Sequence, residues 1–135
     1  MSDSLYVMYN TCYGGFGLSN AAMAEYQKRC PGAVVCDYSI SRHDSVMAQI
    51  VKEMGSKQAS APQADVGLVQ IPSCFVDHYT IEEYDGMESA VVDFDRYKVD
   101  TTKTILRDKT TSKTDKLARI AAVMNLEEPC LKRIL

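Results

Sequence analysis

Three of the chain's seven glycines, Gly14, Gly15 and Gly17, fall within four positions, inside the stretch YNTCYGGFGLSNAA over Tyr9–Ala22. Residues without a Cβ permit positive φ and let the backbone come close to whatever faces it, so this stretch must be a loop. The segment before it, LYVMYNTC, is rich in Val, Tyr and Leu and reads as a buried strand. Behind it Ser19 stands where an N-cap belongs. Ala22, Met23, Tyr26 and Cys30 then follow at helical spacing, with Lys28 and Arg29 in the last turn. The chain is committed early to a strand, a bare loop and a helix.

Further on, AVVCDYS over Ala33–Ser39 predicts a second short strand. SRHDSVMAQIVKEMG predicts a second helix, with Asp44 as N-cap, a stripe of Val46, Met47, Ile50, Val51 and Met54, and Gly55 at its end. SAPQA reads as a polar linker and DVGLVQIP as a strand stopped by Pro72. HYTIEEYDGMESAVV reads as a hairpin turning at Asp85 and Gly86. The Thr/Lys-rich TTKTILRDKTTSKT from Thr101 reads as extended or mobile, and Lys113–Met124 as an amphipathic helix bearing Leu117, Ile120, Ala121 and Met124 on one face.

This pattern predicts an α/β (α+β) protein: a small single-layer sheet with two helices packed on it, a late hairpin and a C-terminal helical tail. If the first strand and DVGLVQIP run parallel, the crossover between them is right-handed. The 135 residues allow one domain plus a tail, divided as a core over 1–100 and a basic linker with helix over 101–135. Residues 1–100 hold 7 Lys+Arg against 14 Asp+Glu, whereas residues 101–135 hold 8 against 4. An acidic body thus carries a basic tail.

The start, MSDSLYVMYN, lacks a basic n-region and an apolar h-region, and no apolar run approaches the length of a membrane-spanning helix. Five scattered cysteines without a CxxC pair read as free thiols of an intracellular protein. With only His43 and His78 beside them, no zinc-ligand spacing emerges.

Three clusters at element boundaries could carry chemistry. The loop Tyr13, Gly14, Gly15, Phe16, Ser19 precedes a helix start, where free N–H groups and the helix dipole suit a phosphate or carboxylate. It is neither a dinucleotide fingerprint nor a P-loop, and it equally suits a close-packed turn with Tyr13 and Phe16 folded onto the core. Ser41–Asp44 offers Arg42 as a two-pronged anion donor and His43 as a proton carrier, against the plainer reading that Asp44 or Ser41 caps a helix. Glu82, Glu83, Tyr84 and Asp85 form the third cluster, a pair of alternating faces that could hold a cation or serve acid–base work, or simply a solvated hairpin end.

Taken together, NTCYGGFGLSNAA, SRHDSVMAQIVKEMG, ADVGLVQIP and YTIEEYDGMESAVV resemble a family of small proteins of tailed bacteriophages, prophages and some large DNA viruses. The matching positions are Cys12, Tyr13, Gly14, Gly15, Phe16, Leu18 and Ser19; Arg42 and Asp44; Ile71 and Pro72; and Glu82 through Gly86. His43 stands where the family often has another polar residue, and the chain continues past Val92, where relatives soon finish. The resemblance implies a viral origin and a site shared by loop and hairpin, and brings no activity or cofactor with it.

The resulting expectation is a viral accessory protein that binds a small anionic, nucleotide-like ligand or a host factor through Tyr13–Ser19, Arg42, Asp44 and Glu82–Asp85. One alternative is a virion or interaction component docking through residues 101–135, as a homo-oligomer or on a viral or host protein, with nucleic acid only weakly suggested by the basic tail. Another is a metal-assisted hydrolase or nuclease. Host-cell cytoplasm is the expected compartment, with the virion as the other option and no membrane association.

Overall fold

The computed structural model describes residues 4–32, 36 and 39–135. Among these the chain is α+β. Strand β1 (Ser4–Asn10) pairs antiparallel with β2 (Val66–Pro72), placing Val7 opposite Val69 and Met8 opposite Leu68. The two-residue β5 (Lys132–Arg133) lies on the other edge of β2, giving the order β1-β2-β5. Because β1 and β2 run antiparallel, the handedness rule for parallel crossovers does not apply to them.

Both faces of the β1–β2 pair are covered, which is why each strand reads as a near-continuous apolar run. Met8, Val66 and Leu68 face helices α1 (Asn20–Arg29) and α2 (Ser45–Met54), meeting Ala22, Met47, Ile50 and Val51. Val7, Tyr9, Val69 and Ile71 face the hairpin β3 (Tyr79–Tyr84) and β4 (Met87–Val92), through Tyr79, Ile81 and Ala90. Met8, Met47, Ile50 and Leu68 are fully buried, each contributing about 1.5–3 kcal/mol of hydrophobic stabilisation.

Local signals fix the element ends. Ser19 Oγ accepts from Ala22 N at 3.1 Å, and Asp44 Oδ1 accepts from Val46 N and Met47 N at 3.0 and 2.9 Å. Gly55, at φ +84°, ends α2 and leads into the single-turn α3 (Ser56–Ala59). Asp85 and Gly86 have φ of +51° and +89°, the two positive values of a type I′ turn. That turn sets the register in which Glu83 lies opposite Glu88.

The stretch expected to be extended from Thr101 is instead the second half of a helix, α4 (Phe94–Arg107), which runs through position 100. Thr is a poor helix former, but the cap and the packing outweigh it. Asp93 accepts from Arg96 N at 3.2 Å, while Phe94 and Tyr97 pack edge-on against Phe75 with ring centroids 6.0 and 4.5 Å away. Helix α5 (Lys113–Met124), capped by Ser112, forms where the tail helix is expected, and it folds back along α4. The strand expected over 33–39 falls largely outside the described residues. Among the described residues no helix is long and apolar enough to cross a membrane.

Candidate functional site

Asn10, the last residue of β1, is fully buried and joins the glycine loop to the hairpin tip. Its Nδ2 donates to the carbonyls of Cys12 and Gly86, both at 2.7 Å, and its Oδ1 accepts from Asp65 N at 2.9 Å. A buried amide with its donors and acceptor all engaged is a specific joint, because each group would otherwise be stranded away from water. Gly86 fits flush against the loop: a Cβ there would overlap the carbonyl of Tyr13 and crowd Gly15 N. Gly14 has the same need, with the carbonyl of Gln63 where its Cβ would lie. The loop and the hairpin tip therefore meet at Gly86, while Gly14 serves the loop's close approach to Gln63.

Beside this joint, two N–H groups on the outer edge of β1 are met by a loop carbonyl and a side chain. The Met8 N–H donates to the carbonyl of Arg42 at 2.7 Å, and the Asn10 N–H donates to Glu88 Oε1 at 2.9 Å. The Arg42 guanidinium completes the arrangement, with Nη1 and Nη2 bonded to the two Glu88 carboxylate oxygens at 2.6 and 3.0 Å. It lies 3.6 Å from the centroid of the Phe16 ring, a stacked cation–π contact. Glu88 is only 7% exposed, so the pair is a strong, partly desolvated one. Arg42 is thus fully occupied by this protein's own carboxylate.

The other sequence-predicted residues divide into consumed and displayed. Ser19 caps α1 and donates to the carbonyl of Gln58 at 2.7 Å. Asp44 caps α2 and accepts from the Tyr26 hydroxyl at 3.0 Å; burial, reinforced by that carboxylate, pushes the Tyr26 hydroxyl up to about 12. Phe16 packs under Arg42, whereas Tyr13 points outward at 62% exposure rather than folding onto the core. Tyr84 is 80% exposed, and Glu82, Glu83 and Asp85 are exposed beside it.

His43, considered as a proton carrier, is engaged structurally. Its Nδ1 is 2.6 Å from the Tyr79 hydroxyl, which burial keeps above its ordinary pKa and hence protonated. Ser41 Oγ lies 3.1 Å from Nδ1 and 3.3 Å from Nε2. An oxygen nearly equidistant from both ring nitrogens is off the line of either lone pair, so this serine is not set up as an activated nucleophile. Among the described residues no three His, Cys, Asp or Glu side chains are arranged to hold a metal ion.

Two hollows border the hairpin. A hollow of about 320 Å³ is bounded by four carboxylates, Glu82, Asp93, Asp95 and Glu128, with Thr80 and Phe94. A second, of about 260 Å³, runs along Glu82, Glu83, Tyr84 and Met87 to Glu88. Neither is lined by a lysine or an arginine. The surface offered by the hairpin is acidic and aromatic.

No protein-family model, curated protein or solved structure matches the chain. The residues that hold the site together, Asn10, Glu88 and Tyr79, are ones that sequence reasoning missed. The signal for Glu88 was available: with the turn at Asp85 and Gly86, two-residue hairpin geometry places it opposite Glu83, on the strand face shared with Ala90 and Val92.

Proposed function

We propose that this is a non-catalytic binding protein whose recognition surface is the outer face of the hairpin, and that it takes a basic segment of another protein. The observation that carries this reading is the four-carboxylate hollow, with no lysine or arginine among its lining residues, beside exposed Tyr84, while Arg42 is already paired with Glu88. A nucleotide-like anion would meet four carboxylates there. A lysine or arginine would meet carboxylates and an aromatic face, both of which favour it. The firm joint beneath, through Asn10 and Gly86, supports the reading because a preformed surface spares the ordering cost of binding. The resemblance to phage and large-virus proteins supports a viral accessory role, with a host or viral protein as owner of the segment.

Titration of the isotope-labelled full chain with a lysine- and arginine-rich peptide carrying one tyrosine, and separately with ATP, tests this. The peptide is expected to shift the amides of 80–95 and to weaken with Glu82→Gln plus Asp95→Asn. Preferential shifts at 14–19 with ATP would overturn the reading in favour of an anion site.

A further inference from the structure

The helical hairpin α4–α5 presents a second surface, richer in cations than the first and adjoining it at Asp95. Val99 and Leu106 are seven positions apart on α4, and Leu117 and Met124 are seven apart on α5, so each pair occupies one stripe of its helix. Val99 and Met124 border the same groove of about 330 Å³, together with Lys98, Thr102 and Lys103 and, at its end, Asp95. Two cross-helix bonds align the ends: Lys98 Nζ to the carbonyl of Met124 at 3.3 Å, and Lys116 Nζ to the carbonyl of Leu106 at 3.1 Å. The antiparallel packing therefore brings all four side chains to one side. They are 50–61% exposed.

This stripe is not what holds the two helices together. Val123 is buried and Ile105 and Ile120 are half-buried on the inward faces, leaving Val99, Leu106, Leu117 and Met124 surplus to the hairpin's own packing. Contiguous exposed apolar side chains rimmed by charge mark an interaction surface. The rim has a definite sign. Residues 98–119 hold seven Lys+Arg against three Asp+Glu. Of those three, Asp100 is held by His78 at 2.8 Å and Arg96 at 3.6 Å, and Asp108 is turned to Thr110 and Thr111.

From this we infer that the outer side of α4–α5 is a docking groove for an acidic amphipathic helix of another protein, with Val99, Leu106, Leu117 and Met124 receiving its apolar stripe and the surrounding lysines and arginines receiving its carboxylates. An apolar groove between two helices takes a third helix by its i, i+3, i+4, i+7 positions. A two-fold pairing of this face with itself would bring two cationic rims together, which disfavours a second copy as the occupant.

Two synthetic helices with the same leucine stripe, one otherwise rich in glutamate and one otherwise rich in lysine, supply the test by calorimetry and amide shifts on the full chain. The acidic helix is expected to bind, to shift amides confined to 95–124, and to weaken as salt rises. Leu117→Ser and the double variant Lys103→Glu with Arg119→Glu should each weaken it about tenfold or more, with unchanged thermal unfolding because these side chains are exposed. Equal affinity for the two helices would overturn the inference, as would shifts outside 95–124. So would self-association of the chain that Leu117→Ser abolishes, since the occupant would then be a second copy.

Discussion

Arg42 and Glu88, 46 positions apart, jointly cover the end of the outer edge of β1: the backbone carbonyl of one and the carboxylate of the other receive the N–H groups of Met8 and Asn10, which face away from β2. Glu88→Ala should therefore do more than break an ion pair. It strands the Asn10 N–H and leaves the Arg42 guanidinium without its counter-charge, at a cost of about 2–3 kcal/mol. Urea denaturation measures this. In a cycle with Arg42→Met, the double variant is expected to lose less than the two single losses combined.

Asn10→Ala removes four bonds at once, uncovering the carbonyls of Cys12 and Gly86, the N–H of Asp65 and the weakly donating Cys12 thiol. The expected loss is about 2–4 kcal/mol, given the usual cost of buried groups left unsatisfied. Hydrogen exchange should rise at Asp65 and across 84–88 before it rises in α2. Uniform exchange across the molecule would contradict the joint described above.

The two adjacent glycines of the loop should behave differently. Gly14→Ala drives a methyl into the Gln63 carbonyl, whereas Gly15→Ala meets open space and only the strain of φ +91°. The second substitution should cost about 1–2 kcal/mol, and the first should cost more. Thermal unfolding of the two variants side by side checks the order.

The contrast between what could and could not be read from the chain follows from range. Ser19, Asp44 and the Asp85–Gly86 turn act on backbone groups within three residues, so their roles were visible in the string of letters. Helix α4 was not, because its threonines argue locally against a helix while the reasons for one, Phe75 under Phe94 and Tyr97, lie nineteen positions or more away. Arg42 stood out as a cation near a helix start, yet its significance depends on Glu88. Asn10 looked like the polar end of a strand, and its bond to Gly86 spans 76 positions. The candidate site was thus legible in its exposed members and not in the buried ones that hold them.

The turn between α4 and α5 should carry a pH signature. Hydrogen bonds from Thr111, Thr110 and the Thr110 N–H hold the Asp108 carboxyl well below its ordinary 3.8. A depressed folded value means that this group's contribution is complete above the ordinary value and is lost as pH falls through the lower one. Amide shifts at Thr110 and Thr111 should accordingly stay flat down to about pH 4 and move only in stronger acid. Asp108→Asn should abolish that movement. A midpoint at or above the ordinary value would refute the assignment.

The orientation of one buried amide has a consequence for how long the molecule keeps its shape. Both hydrogens of Asn10 Nδ2 are directed at carbonyl oxygens. Hydrolysis of that group to a carboxylate would exchange two attractions for two repulsions in a place water does not reach. Loss of that amide would therefore cost the molecule a bond that ties the strand end to the hairpin tip, and the same close packing that forbids a methyl on Gly86 shields it from water.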